Sequence, residues 1–260
     1  MTTSDAFLGG KLTLQQPEKG FRAGLDSVML AAAVPAVTGE TVLELGSGAG
    51  VAALCLAKRV HGVRVLGLEI QADLVALATA NTEHNKLIEW VLFLNAAVEA
   101  PPEGMTPNSF DHVMMNPPFF VEGTDDAPPG LARATAHIAD AEALARWTKC
   151  ARIYLKSKGR LTAILPAERL PDMLAALEKG FGAIDLFPLW SRPGVSAKRV
   201  LLTARMGSRT PLTLKPGLVL HAPDAKYTPE AEAILRDGAA LNLSPPVLTG
   251  GVPRSGEGGA

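Results

Sequence analysis

The chain has little that would tie it to a membrane, a metal or an oxidising compartment. Only two of its 260 residues are cysteines, Cys55 and Cys150, and neither belongs to a CxxC pair or a metal-ligand spacing. They read as buried free thiols of a reducing compartment. No apolar run reaches the roughly 20 residues needed to cross a bilayer. Met1 to Lys11 lacks a basic stretch followed by an apolar one, so no signal peptide is read there. The expectation is a soluble, cytoplasmic protein. Charge of one sign is missing too, with 25 basic side chains against 26 acidic ones. No global field therefore draws in nucleic acid, and any such surface must be a local patch. Aromatic residues are few, and the scattered Trp90, Trp147 and Trp190 read as packing residues.

What is present is enough apolar side chain, 47% of the total, to bury a full core. Short β-branched and leucine runs alternate with helical spacings. Strands are read at Thr41 to Leu45, Val63 to Leu68, Trp90 to Leu94, Phe110 to Met115 and Gly159 to Leu165. Helices are read at Val51 to Arg59, Ala72 to His84, Ala141 to Leu155 and Ala167 to Lys179, the last capped by Gly180. Ile184 to Trp190 and Lys198 to Ala204 then follow as two strands with no helix between them. This order predicts an α/β fold: a doubly wound, mostly parallel seven-stranded sheet whose C-terminal hairpin makes one strand antiparallel. Leu212 to His221 could add a strand and Pro229 to Arg236 a helix. The segment 242–260 is rich in Gly, Pro and Ser and predicts a disordered tail.

Two motifs carry chemistry. The first is the turn Glu44-Leu45-Gly46-Ser47-Gly48-Ala49-Gly50 between the first strand and its helix. In open α/β sheets, ligands bind beyond the carboxyl ends of the strands at such a turn, and glycines there let a ligand approach the backbone. The spacing G-x-G-x-G is one residue shorter than the dinucleotide fingerprint, and Glu44 beside it would repel a pyrophosphate. An acid suits instead the ammonium and sulfonium of S-adenosylmethionine. Glu69 ends the next strand, where a carboxylate can accept both ribose hydroxyls. Asn95, after the third strand, is placed for the adenine edge or is an ordinary strand-ending turn residue. Ile70 and Ala96 stand beside these two, and Ser47 lies within the turn; all three, with Asn116 after the fourth strand, join the candidate cofactor-binding set.

The second motif is Asn116-Pro117-Pro118-Phe119, directly after the fourth strand. Two prolines fix two φ angles and hold the residues before them extended. Asn116 is thereby stationed at the strand tip with its side chain toward the cleft. An exocyclic amine is a poor nucleophile because its lone pair is delocalised into the ring. If the Asn116 side-chain oxygen and the Pro117 carbonyl accept its two N–H bonds, the nitrogen moves toward sp³ and its lone pair turns to the methyl donor. Phe119 offers a face on which a base could stack. The candidate catalytic residues are Asn116, Pro117, Pro118 and Phe119, and no metal is called for.

With these motifs the chain resembles the class I S-adenosylmethionine-dependent methyltransferases that carry Asn-Pro-Pro-(Tyr/Phe). Among them it is most similar to the bacterial tRNA (adenine-N6)-methyltransferases that act next to the anticodon of a valine tRNA. The resemblance runs from Gln16 to Leu241 and includes three flanking stretches. These are Arg22-Ala23-Gly24-Leu25-Asp26 with the apolar helix Val28 to Val34, Lys198-Arg199-Val200-Leu201-Leu202, and Pro223-Asp224-Ala225-Lys226-Tyr227. It implies that Arg22 and Asp26 lie near the methionine end of the cofactor. It also implies that Gly46, Gly48, Gly50, Glu44 and Glu69 bind the cofactor and that the tetrapeptide binds the target amine. Asn95 stands where relatives often carry aspartate. The implied organisation is an N-terminal segment, 1–40, packing on the cofactor site, and a catalytic domain, 41–241. RNA is the implied partner, through the region of Arg192, Lys198 and Arg199 within a wider basic cluster that adds Arg205, Arg209 and Lys215. Edge-guarding lysines and arginines are the alternative for that cluster. Val121 to His137 reads as a loop over the cleft or as a solvated linker. The same tetrapeptide also serves enzymes that methylate glutamine side chains or guanine N2, and a noncatalytic RNA-binding protein could keep the fold.

Overall fold

The computed structural model describes residues 2–19, 22–118 and 133–243. An N-terminal hairpin comes first, β1 (Thr2–Phe7) and β2 (Leu12–Pro17), antiparallel to each other. Helix α1 (Leu25–Ala33) follows. Then strands and helices alternate: β3 (Thr41–Leu45), α2 (Val51–Arg59), β4 (Arg64–Glu69), α3 (Ala72–His84), β5 (Val91–Asn95) and β6 (Phe110–Met115). After α4 (Arg133–Tyr154) come β7 (Leu155–Pro166), α5 (Leu170–Leu177), β8 (Phe181–Trp190) and β9 (Arg199–Met206). Two short strands, β10 (Thr213–Leu214) and β11 (Leu218–Val219), and the turn of helix α6 (Pro229–Glu232) complete the described chain.

Seven strands stand in the order β8-β9-β7-β6-β3-β4-β5, with β10 and β11 both added parallel to β8 at the edge. Every pairing from β5 to β7 is parallel, and β9 alone runs against its two neighbours. This is the doubly wound sheet expected from the alternation. The central strands are buried on both faces, as parallel strands covered by helices must be. One core joins α1, α2 and the hairpin's Leu12 and Leu14 to the sheet, and the other packs Leu144, Trp147 and Ala151 of α4 and Met173 of α5 against the opposite face. The order reverses between β3 and β6, which makes their carboxyl ends the switch point where a ligand crevice opens.

The sequence reading and the structure differ in four places. The β1–β2 hairpin was not anticipated, because its inward positions are Leu12, Leu14 and then Gln16, too short an apolar alternation to register. Leu212 to His221 forms two strands of two residues each instead of one, split by Lys215 to Gly217. The helix at Pro229 lasts four residues and continues as a π-helical turn over Ala233–Asp237. Residues 133–137, read as part of a loop, are already helical in α4, whereas 121–132 and the tail from 244 lie outside the described residues.

The hairpin is held to α3 by two asparagines one turn apart, acting as a strand would. Asn81 accepts the Gln15 N–H at 2.7 Å and donates to the carbonyls of Gln15 at 2.9 Å and Ala49 at 3.0 Å. Asn85 repeats this on Thr13, accepting its N–H at 3.1 Å and donating to its carbonyl at 2.9 Å. The exposed edge of β2 is thereby satisfied without a third strand. Asn81 is buried, so Asn81→Ala should strand three backbone groups and cost about 2–4 kcal/mol in urea unfolding. Donor affinity should fall with it, since the hairpin forms part of the cleft wall described next; an unfolding midpoint equal to the wild type's would refute this role.

Candidate active site at the carboxyl edge of the sheet

Met115, the last residue of β6, lies in register with Leu45, the last residue of β3. Asn116 and Gly46 therefore leave the sheet side by side, and both line one cleft with Glu44, Ser47 and Gly48. Its other walls come from residues not named as candidate site residues in the sequence: Gln16, Pro17, Ala23 and Ser27 on one side, and Ala49, Val51, Ala52 and Leu74 on the other. Pro117 and Pro118 follow Asn116 outside any helix or strand, and the Asn116 amide has no hydrogen-bond partner among the described residues. Phe119 lies outside them.

The three glycines of the turn all have positive φ, at 67°, 53° and 84°, but they do different things. A Cβ on Gly46 would come within 2.5 Å of the Trp147 ring, and one on Gly50 within 2.6 Å of Phe93. A Cβ on Gly48 would meet nothing within 4 Å. Only Gly48 leaves open space; the other two are demanded by packing as well as by φ. Trp147 was read as a packing residue, and its ring indeed backs the turn.

Two acids flank the turn. Glu69 ends β4 and accepts the N–H of Gly48 at 2.8 Å through one oxygen and that of Gln71 at 2.9 Å through the other. Each oxygen keeps a further lone pair for a donor. Glu44 is buried and accepts the Ala53 N–H at 3.1 Å, which satisfies one of the unpaired amides at the start of α2. Burial pushes the Glu44 carboxyl up to about 8, opposed by the Ala53 bond and reinforced by the charge of Glu69. Since the folded value lies above the usual 4.5, the folded chain binds more protons between the two. The stability this group contributes is then full below about 4.5 and is lost as pH climbs through about 8. Chemical unfolding of the ligand-free protein should show that decline, and Glu44→Gln should flatten it; an unchanged slope in the variant would assign the decline elsewhere.

Asn95 gives its amide N–H groups to the carbonyls of Glu69 at 3.0 Å and Ile70 at 2.9 Å. Its Oδ1 is left as the outward acceptor, the group an aspartate would present there. Ile70 beside it is two-thirds exposed, an apolar side chain with nothing packed over it. Ala96 is tied to the end of β4 through its N–H to the Glu69 carbonyl. Arg22 and Asp26 do not line the cleft. Arg22 binds Asp5 at 2.6 Å and the Pro17 carbonyl at 2.9 Å, and Asp26 binds Arg199 Nε at 2.8 Å. Their neighbours Ala23 and Ser27 are the residues that reach it, and Gln16 clamps Ala23 by accepting its N–H at 2.8 Å and donating to its carbonyl at 3.1 Å.

The basic cluster divides. Arg192 and Lys198 are exposed at the carboxyl edge beside Arg199, whereas Arg205 pairs with Arg160 at the opposite edge of the sheet. Lys215 is bound to Asp185 at 3.1 Å.

These residues fit S-adenosylmethionine. The cleft carries the Glu44 carboxyl, open space over Gly48, and the buried Ser47 hydroxyl without a partner among the described residues. Outside the cleft wall, the Glu69 carboxylate and the Asn95 oxygen are spaced along successive strand ends, as a nucleoside needs.

Comparison with known proteins agrees. The model of the methyltransferase small domain family matches residues 22–187. A tRNA1(Val) (adenine(37)-N6)-methyltransferase of Aeromonas hydrophila is 28% identical over 211 residues, covering 80% of this chain and 85% of that protein. The protein of the same name from Flavobacterium johnsoniae is 27% identical over 232 residues, covering 85% and 93%. Among solved structures, a predicted O-methyltransferase from Agrobacterium tumefaciens superposes with a TM-score of 0.69 at 26% identity, over 83% of this chain and 98% of that one. A 16S rRNA N2 methyltransferase of Thermus thermophilus, solved with S-adenosylmethionine and guanosine, shares the fold with a TM-score of 0.56 at 22% identity, over 79% and 50%. A switch-point cleft floored by a glycine turn that two acids flank thus coincides with a family match across most of the sheet. The chain belongs to the methyltransferase small domain family, and its methyl donor is S-adenosylmethionine.

Proposed function

We propose that this enzyme methylates the exocyclic N6 amine of an adenine in tRNA, and that Asn116 and Pro117 hold that amine. The observation that carries the reading is the unpaired Asn116 amide beside Gly46 in one cleft wall. Relatives bearing the tRNA adenine-N6 name along most of the chain support the choice of acceptor. Bound S-adenosylmethionine supplies an electrophilic methyl group. The chain's own part is positioning. Glu69 accepts the ribose hydroxyls, Ser47 and the backbone at Gly48 receive the amino-acid end, and the Asn95 oxygen and the Ile70 side chain take the adenine ring. Asn116 Oδ1 and the Pro117 carbonyl accept the two N–H bonds of the acceptor, concentrating its lone pair along the line of attack. No strong base is required, because the proton can leave to water once the nitrogen is alkylated.

Arg192 and Lys198, exposed at the carboxyl edge of the sheet, are the residues we assign to RNA phosphates, with Arg199 bound to Asp26. The target base must leave its stack to reach Asn116. The test is a competition among acceptors with labelled donor: unmodified tRNA, ribosomal RNA and a release factor. Label entering tRNA is the expected result. Label entering only the release factor or ribosomal RNA would move the enzyme to the glutamine or guanine N2 reaction.

A further inference from the structure

The edge of the sheet opposite the cleft holds charges that the methyl-transfer chemistry does not use. Cross-strand register sets His112 of β6 beside Arg160 of β7, and Arg160 beside Arg205 of β9. Register partners point to the same face, and like charges placed opposite each other are destabilising. The row faces a surface cavity of about 370 Å³, which Lys156, Lys158, Glu40 and Asp111 also line.

The acids nearby are already engaged. Glu40 binds His112 Nε2 at 3.0 Å and the Val37 N–H at 2.9 Å. Asp111 binds Lys156 at 2.7 Å and the Thr41 hydroxyl at 2.9 Å, and Asp185, which attracts Arg160, binds Lys215 at 3.1 Å. Arg205 Nε is buried and has no hydrogen-bond partner among the described residues, and neither has His112 Nδ1. One row deeper, the paired hydroxyls of Thr162 and Thr203 are unpartnered as well. Four polar atoms without partners on one strip of sheet are more than a packed protein ordinarily leaves. Burial and then the neighbouring Arg205 both push the Arg160 guanidinium downward, the direction expected of two cations forced together.

We propose that this edge is an anion site for a phosphate-type oxyanion, held between Arg160 and Arg205 with Lys158 at its mouth. A tetrahedral anion would accept from both guanidinium groups, turning a repulsive pair into two charge-assisted contacts. The site is independent of the methyl-transfer reading and lies across the sheet from it. Its phosphate could belong to the backbone of a bound RNA or to a free ion, and the experiment separates the two.

The full chain is heated in inorganic phosphate and in chloride at equal ionic strength, without donor or RNA. The wild type should melt about 2–4 °C higher in phosphate. Arg205→Gln and Arg160→Gln should lose that gain, yet melt no lower than the wild type in chloride, because a like-charge neighbour has been removed. Binding of unmodified tRNA is then measured for the same proteins. Five-fold or weaker binding by the variants, with competition by phosphate, identifies an RNA phosphate; unchanged tRNA binding with phosphate binding lost identifies a free ion. No phosphate gain in the wild type, or an equal gain in both variants, overturns the proposal. Since this melting assay involves no methyl transfer, failure of the transfer assay would leave its result standing.

Discussion

Replacing Asn116 with alanine should cut kcat by roughly 10²–10³-fold, the usual cost of removing one preorganised acceptor or donor at a reacting centre. Binding of S-adenosylmethionine should stay within a few-fold of the wild type. The asymmetry follows from where Asn116 stands. It leaves β6 level with the start of the glycine turn, yet among the described residues its amide makes no bond that supports the turn, β6 or α4. Its loss should leave the fold and the donor's other contacts in place and remove only the grip on the acceptor. Pre-steady-state transfer to tRNA and calorimetric titration of the donor measure the two quantities separately. A variant with ordinary kcat would mean that the amine is activated by another group. One that failed to bind donor would make Asn116 a cofactor residue first.

The second large effect concerns stability. Gly46→Ala places a methyl group within 2.5 Å of the Trp147 ring at a residue whose φ is 67°. Overpacking typically costs about 1–3 kcal/mol, and a left-handed non-glycine residue about 1–2 kcal/mol more. We expect a loss of about 2–5 kcal/mol in urea unfolding, with weaker donor binding because Gly46 lines the cleft. Trp147→Leu alone should also destabilise, by leaving a cavity. Combined with Gly46→Ala it should cost less than the sum, with a coupling of about 1 kcal/mol or more. Strict additivity, or a Gly46→Ala protein within about half a kcal/mol of the wild type, would show that the ring moves aside freely. Gly48→Ala is the informative contrast: the same strain without the collision.

The parallel strands were legible because each is a short run of mostly apolar residues, the central ones buried on both faces and each closed by a turn. Glu44 to Gly50 and Asn116 to Pro118 were legible because glycine and proline act on the backbone locally, whatever the rest of the chain does. The reasons for Gly46 and Gly50 were not, since Trp147 and Phe93 reach them from distant segments of the chain. That segment 1–40 packs on the site was implied by resemblance, but the hairpin that brings Gln16 and Pro17 to the cleft wall was hidden, because it has only two consecutive inward apolar positions. A clue did exist in Asn81 and Asn85, two poor helix formers one turn apart near the end of a helix. Such residues need a reason, and here it is the backbone of β2. Arg22 and Asp26, implied by resemblance to lie at the methionine end, are bound to Asp5 and Arg199. They brace the segment whose small neighbours reach the cleft. The basic residues formed one cluster in sequence and two in space, because an antiparallel strand carries its ends to opposite edges of the sheet.

The most direct measurement is a crystal structure of the enzyme with S-adenosylhomocysteine and an RNA stem-loop carrying the acceptor adenine. The adenine N6 is expected about 2.7–3.2 Å from both Asn116 Oδ1 and the Pro117 carbonyl oxygen, with the donor sulfur on the line of its lone pair. An N6 held by other groups, or an Asn116 amide turned away from the base, would contradict the account.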